Sequence, residues 1–145
     1  VEALLAAGAP QILLAYGSNP ALAARFQHEP RVRSIPFTPQ IAPFMAAADL
    51  VIGKAGPNAL FEAVTLGTPF VATTYIPGQE QGNAAFIERH GLGWAAMDAR
   101  EQHGLFRQLV AEPARLAAMR GSIARYREWN TAAMQRLAAT LLAAM

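Results

Sequence analysis

The sequence has no cysteine, which excludes disulfide frameworks, zinc–thiolate sites and thiol nucleophiles and fits a reducing compartment. Charge is scarce too: twelve Lys plus Arg against ten Asp plus Glu leave a formal charge of only +2, with no basic tract. That argues against a nucleic-acid partner. No apolar run reaches the roughly 20 residues of a membrane span, since the stretch from Ala3 to Tyr16 is broken by Gly8, Pro10 and Gln11. The N-terminus carries no secretory signal, and the chain begins at Val1 without an initiator Met, so a fragment of a longer protein is expected. No G-x-G-x-x-G follows an early strand, which disfavours a NAD-dependent oxidoreductase. His28, His90 and His103 are scattered without metal-ligand spacing, and Ser18 and Ser34 lack a local His or acidic partner. Neither a metal centre nor a hydrolase triad is indicated.

What is present is one globular α/β chain. At 145 residues, with 53% hydrophobic and 15% charged content, it can bury a sheet on both faces. Apolar runs alternate with helical patterns at spacings that predict βα units and a parallel sheet. Strands are expected at 11–16, 31–36, 50–53, 69–75 and 93–97, with helices at 2–7, 20–27, 41–48, 57–66 and 79–90. Ser18 or Asn19 is the expected cap of the second helix, Pro20 its first residue, and Gly67 and Gly91 the stops of the fourth and fifth. The division expected is an incomplete nucleotide-binding domain over 1–106 and C-terminal helices over 107–145. The Ala-rich tail reads as a helical pair packing on the sheet edge or on a missing domain. A membrane-surface helix is the alternative, because Trp129 lies among Arg115, Arg120, Arg125, Arg127 and Arg136.

Two stretches carry the chemistry. The first is Lys54-Ala55-Gly56-Pro57-Asn58-Ala59-Leu60-Phe61-Glu62, which closes one apolar run and opens an amphipathic one. It reads as strand, Gly turn and helix with Pro at the first position. Unpaired N–H groups and the positive end of the helix dipole make such a start an anion site, suited to a diphosphate without any basic side chain. Glu62, four residues after Asn58, shares its face and could accept both hydroxyls of a ribose. The same spacing also fits a plain capped turn with a Glu that favours the dipole. Lys54 could neutralise phosphate or face solvent at a strand end. The second stretch is Ile76-Pro77-Gly78-Gln79-Glu80-Gln81-Gly82-Asn83. With Gln79 and Asn83 one helical turn apart, both amides could point into one site beside Glu80; alternatively all three are solvated first-turn residues.

Together these stretches resemble the C-terminal, donor-binding domain of glycosyltransferase family 28, and most closely the monogalactosyldiacylglycerol synthases and processive diacylglycerol glucosyltransferases. There, K-A-G-P at a strand end is followed by a helix with E-A and then by I-P-G-Q-E-x-G-N. The likeness extends from Ile12 through Ala84 and fades in the tail. It implies a Rossmann-like doubly wound parallel sheet, the C-terminal half of a GT-B glycosyltransferase, with its first strand missing upstream of Val1. In the strand order 3-2-1-4-5-6 that strand is central.

The resemblance further implies an inverting transfer of a hexosyl group from a UDP-sugar, a substrate and not a cofactor, to a lipid acceptor such as diacylglycerol. The acceptor and any catalytic base would belong to a missing N-terminal domain, leaving the catalytic residue unidentified in this chain. Gly56, Pro57 and Asn58 would face the diphosphate, Glu62 the ribose, Phe37 and Thr38 the uracil, and Gln79, Glu80 and Asn83 the donor sugar. Neither a cofactor nor a metal is expected, the helix dipole taking the metal's place. Asn58 departs from the pattern, standing where relatives carry Gly. A UDP-sugar 2-epimerase and a donor-binding subunit that works with a separate acceptor subunit are the alternatives. A cytoplasmic location is expected, with a membrane surface and a homo-oligomer both open as partners.

Overall fold

The computed structural model describes residues 1–143. The elements run α1 (Glu2–Ala6), β1 (Ile12–Gly17), α2 (Pro20–Arg25), β2 (Val32–Pro36), α3 (Ala42–Ala47), β3 (Val51–Lys54), α4 (Pro57–Leu66), β4 (Phe70–Thr74), α5 (Gln81–Arg89), β5 (Gly93–Ala95), α6 (Ala99–Ala111) and α7 (Pro113–Ala143). Local chemistry sets their ends. The side chain of Asn19 caps α2 by accepting from Leu22 N at 3.3 Å, and Pro20 opens the helix. Gly67, at φ 83°, closes α4 in the left-handed conformation that a Cβ would oppose. At the start of α6, Asp98 accepts from Glu101 N at 2.8 Å and the Glu101 carboxylate reaches back to Asp98 N, a complete capping box.

All strand pairs are parallel, and they fall into two sheets. One has the order β1-β2 and the other β3-β4-β5. This is what the order 3-2-1-4-5-6 leaves when its first strand is taken away: the pair 3-2 on one side and the run 4-5-6 on the other. The larger sheet carries both core clusters. Helices α3, α4, α5 and α7 cover one side through Met45, Leu60, Ala63, Val64, Ile87 and Ile123 around Phe70 and Ala72. On the other side Phe106 and Leu109 of α6 pack on Val71 and Ala96, joined by Ala3 and Leu4 of α1 and by its C-cap, Ala7. Gly93 lies so close to β4 that a Cβ on it would sit 1.7 Å from the carbonyl oxygen of Phe70.

The tail is a helical pair, with α6 running across position 107 and packing into the core through Phe106 and Leu109. The first half of α7 buries Ile123; the same stripe continues through Met134, Leu137 and Leu141, which are exposed. No helix among the described residues is long and apolar enough to cross a membrane.

The structure departs from the sequence pattern at the fifth helix, which begins at Gln81 and not at Gln79. Residues 77–80 form a turn. Gly78 takes φ 78°, and the Ile76 carbonyl accepts from both Gln79 N at 3.1 Å and Glu80 N at 2.9 Å. The helical period that relates Gln79 to Asn83 therefore does not apply.

Candidate functional site

The turn between β3 and α4 is built from buried backbone and an open helix end. Ala55 and Gly56 are buried, and Ala55 N donates to Thr74 O at 2.7 Å, extending the β3–β4 ladder beyond the strand. Gly56 is the N-cap, has no side chain to offer, and is followed by Pro57, which has no N–H. The first intrahelical bond to the cap is Leu60 N to Gly56 O at 3.1 Å. The N–H groups of Asn58 and Ala59 thus point outward from the positive end of a ten-residue helix. The first turns of α2 and α6 differ, being closed by the side chains of Asn19 and Asp98.

Pro57, Asn58 and Glu62 share a groove of about 600 Å³ with Ala42, Phe61, Thr65 and Leu66. The structure therefore brings the helix start and the acidic residue of the next turn onto one surface. Among the described residues the Glu62 carboxylate has neither a hydrogen bond nor an ion pair, so its oxygens face the groove unoccupied by protein donors. Phe37 and Thr38 follow β2 outside that lining. Phe37 is 78% exposed, and the Thr38 hydroxyl accepts from Gln40 N at 3.1 Å.

The 76–83 segment has a different character. Gln79 is exposed, but Glu80 is only 5% exposed. One of its oxygens is ion-paired with Lys54 and the other accepts from Ile76 N at 3.0 Å. Asn83 turns its amide inward, donating to Ala55 O at 2.7 Å. Glu80 and Asn83 therefore brace the β3–α4 turn from beneath, while Gln79 alone of the three presents its side chain outward. The signal in the sequence that marks Lys54 is that it is the one lysine beside eleven arginines. His90, the C-cap of α5, lays its ring tilted against Phe86 at 4.3 Å and edge-to-face with Tyr126 at 5.6 Å.

The Lys54 ammonium holds the Glu80 carboxyl below the ordinary carboxylate range, helped by the Ile76 N–H and opposed by burial. The folded value thus lies below the unfolded one. The pair's stabilisation is whole above the unfolded carboxylate pKa of about 4.3 and is lost as pH falls through the folded value. The difference in thermal midpoint between the parent and Glu80→Gln should therefore stay constant from about pH 8 to 6 and close in acid below about pH 4. An equal difference at both extremes would show that the carboxylate's charge contributes nothing.

The family model for the glycosyltransferase family 28 C-terminal domain matches residues 1–139. The chain belongs to this family. Monogalactosyldiacylglycerol synthase 3 of Arabidopsis thaliana is 37% identical over 86 residues, 57% of this chain and 18% of that protein. A probable monogalactosyldiacylglycerol synthase 2 of Oryza sativa subsp. indica is 35% identical over 96 residues, covering 63% and 20%. The chain thus spans about a fifth of the length of these relatives, both of which are described as chloroplastic. Anabaena HepE, solved in complex with UDP-glucose, superposes over 98% of this chain and 44% of its own at a TM-score of 0.64 and 20% identity. The glycotransferase of kitacinnamycin superposes over 82% and 33% at 0.61 and 19%. At these identities the structures establish the fold, the doubly wound α/β half of GT-B glycosyltransferases.

Proposed function

We propose that this family 28 domain is the UDP-sugar-binding half of an inverting glycosyltransferase that passes a hexosyl group to a lipid acceptor such as diacylglycerol. What carries the proposal is the uncapped start of α4 with Asn58 and Glu62 on one groove. The N–H groups of Asn58 and Ala59 bind the donor's diphosphate, Glu62 accepts the ribose hydroxyls, and the chain at Phe37 and Thr38 reads the uracil. Gln79 meets the donor sugar from a loop that Glu80 and Asn83 hold in place.

In the transfer, the acceptor oxygen forms a bond to the anomeric carbon as the bond from that carbon to the UDP oxygen breaks. The acceptor's proton passes to a base on the other side of the cleft. Negative charge grows on the departing UDP, where the fixed N–H groups and dipole of α4 are already aimed, so little reorganisation is needed. The names of the monogalactosyldiacylglycerol synthases support the lipid acceptor. We place the protein in the cytoplasm, against a membrane surface where that acceptor lies.

Glu62→Ala tests the assignment. It should weaken UDP by the roughly 1.5–3 kcal/mol of a charge-assisted hydrogen bond while leaving 2′,3′-dideoxy-UDP almost unaffected, measured by titration calorimetry. Equal losses for both nucleotides would remove Glu62 from the ribose.

A further inference from the structure

Lys54 is the chain's only lysine, and it occupies the last position of β3. Its side chain is 53% exposed, yet the ammonium arches back over the turn. A Cβ on Gly56 would lie 3.0 Å from Lys54 Nζ and 3.3 Å from Glu80 Oε1. The ammonium thus sits between a buried carboxylate and the open first turn of α4. Burying a carboxylate costs energy unless its oxygens are matched, and both oxygens of Glu80 are, by Lys54 and by Ile76 N–H. Lysine has three N–H donors in all, so the exposed ammonium keeps donor capacity beyond what Glu80 accepts.

We propose that Glu80 is a positioning residue: it holds the Lys54 ammonium over the start of α4, and Lys54, not Glu80, touches the donor, at its diphosphate. The assignment rests on the UDP-sugar reading above. A lysine left to its four-carbon stem samples many rotamers, and a buried acceptor beneath it fixes the charge before the ligand arrives. A donor bound there lies against two backbone N–H groups and one pre-placed cation.

The single lysine makes the test direct. In the uniformly ¹³C,¹⁵N-labelled chain the single lysine is read from its ¹⁵Nζ–¹³Cε correlation with all three N–H donors intact, and the Lys54→Arg variant identifies that lysine resonance by its loss. UDP should move that resonance with the same midpoint as the backbone amide of Asn58, and uridine should leave it in place. Lys54→Met and Glu80→Gln should each weaken UDP by about tenfold or more, with Lys54→Arg within a few-fold of the parent. The double variant should bind no worse than Lys54→Met alone, because Glu80 acts through Lys54. If Glu80→Gln fails to fold, the lysine resonance and the surface variants at Lys54 still decide the matter. An unmoved lysine resonance while the Asn58 amide responds overturns this proposal alone, as does a further loss on removing Glu80 from the Lys54→Met background. An Asn58 amide that ignores UDP overturns the donor site itself and this proposal with it.

Discussion

Purified by itself, the 145-residue chain should transfer no sugar from UDP-glucose or UDP-galactose to diacylglycerol above a protein-free blank, even where it binds UDP. The groups assigned to the donor lie after β2, at the end of β3, on α4 and in the turn before α5, and no histidine lines the groove that holds Asn58 and Glu62. Holding donor and acceptor together lowers a bimolecular barrier by about 7–11 kcal/mol, a factor of about 10⁵ or more. Half a cleft supplies none of that for the acceptor. Transfer should appear when the chain forms part of a polypeptide of its relatives' length, read as labelled glycolipid by thin-layer chromatography. Transfer by the 145-residue chain that Glu62→Ala abolishes would show instead that it holds its own acceptor site and base.

The largest effect on folding is expected at Gly93. A methyl group there would fall 1.7 Å from Phe70 O, 2.7 Å from its carbonyl carbon and 2.9 Å from its nitrogen, all backbone atoms that no rotamer change can move aside. Relief requires β5 to leave β4, breaking the register of Phe70 with Gly93, Val71 with Trp94 and Ala72 with Ala95 over a fully buried Phe70. Gly93→Ala should cost more than about 4 kcal/mol, comparable to the whole stability of a small domain. Gly104→Ala is the control: it lies inside α6 with nothing within 4 Å of the added carbon, and should gain about 0.5–1 kcal/mol. Urea unfolding followed by circular dichroism measures both, and a folded Gly93→Ala protein with the parent's midpoint would refute the steric account.

Sequence made the elements legible because their punctuation is local. Pro20, Pro57 and Gly67 act on backbone angles within a few residues, so α2 begins and α4 begins and ends where the sequence pattern puts them. The uncapped start of α4 was legible for the same reason. What sequence left open depends on contacts between distant residues. Glu80 and Lys54 are 26 positions apart and Asn83 and Ala55 are 28 apart, so no spacing rule could reveal that two polar side chains of the second motif point inward to the first. The helix period over 79–83 misled because Glu80 accepts from Ile76 N and tightens the turn before α5 begins. The buried position of Gly93 against β4 was likewise invisible, since it depends on strand pairing.

The division of the strands into two sheets bears on how a nucleotide would be held. Ile12, Phe26 and Ile35, the buried side chains of β1, β2 and the residue ending α2, belong to neither core cluster. The β1–α2–β2 unit therefore has little of the cooperativity that locks α4 and α5 onto β3 and β4, and it can open at a lower free energy than the rest. Phe37 and Thr38 hang from this looser unit, whereas Gly56, Glu62 and Gln79 are fixed to the tighter one. The phosphate and ribose ends of a nucleotide would meet a preformed surface, and the base would meet one that ordering must complete. Part of the binding free energy would then be absorbed as conformational entropy, and any contact that closes the sheet would return it as affinity for the base.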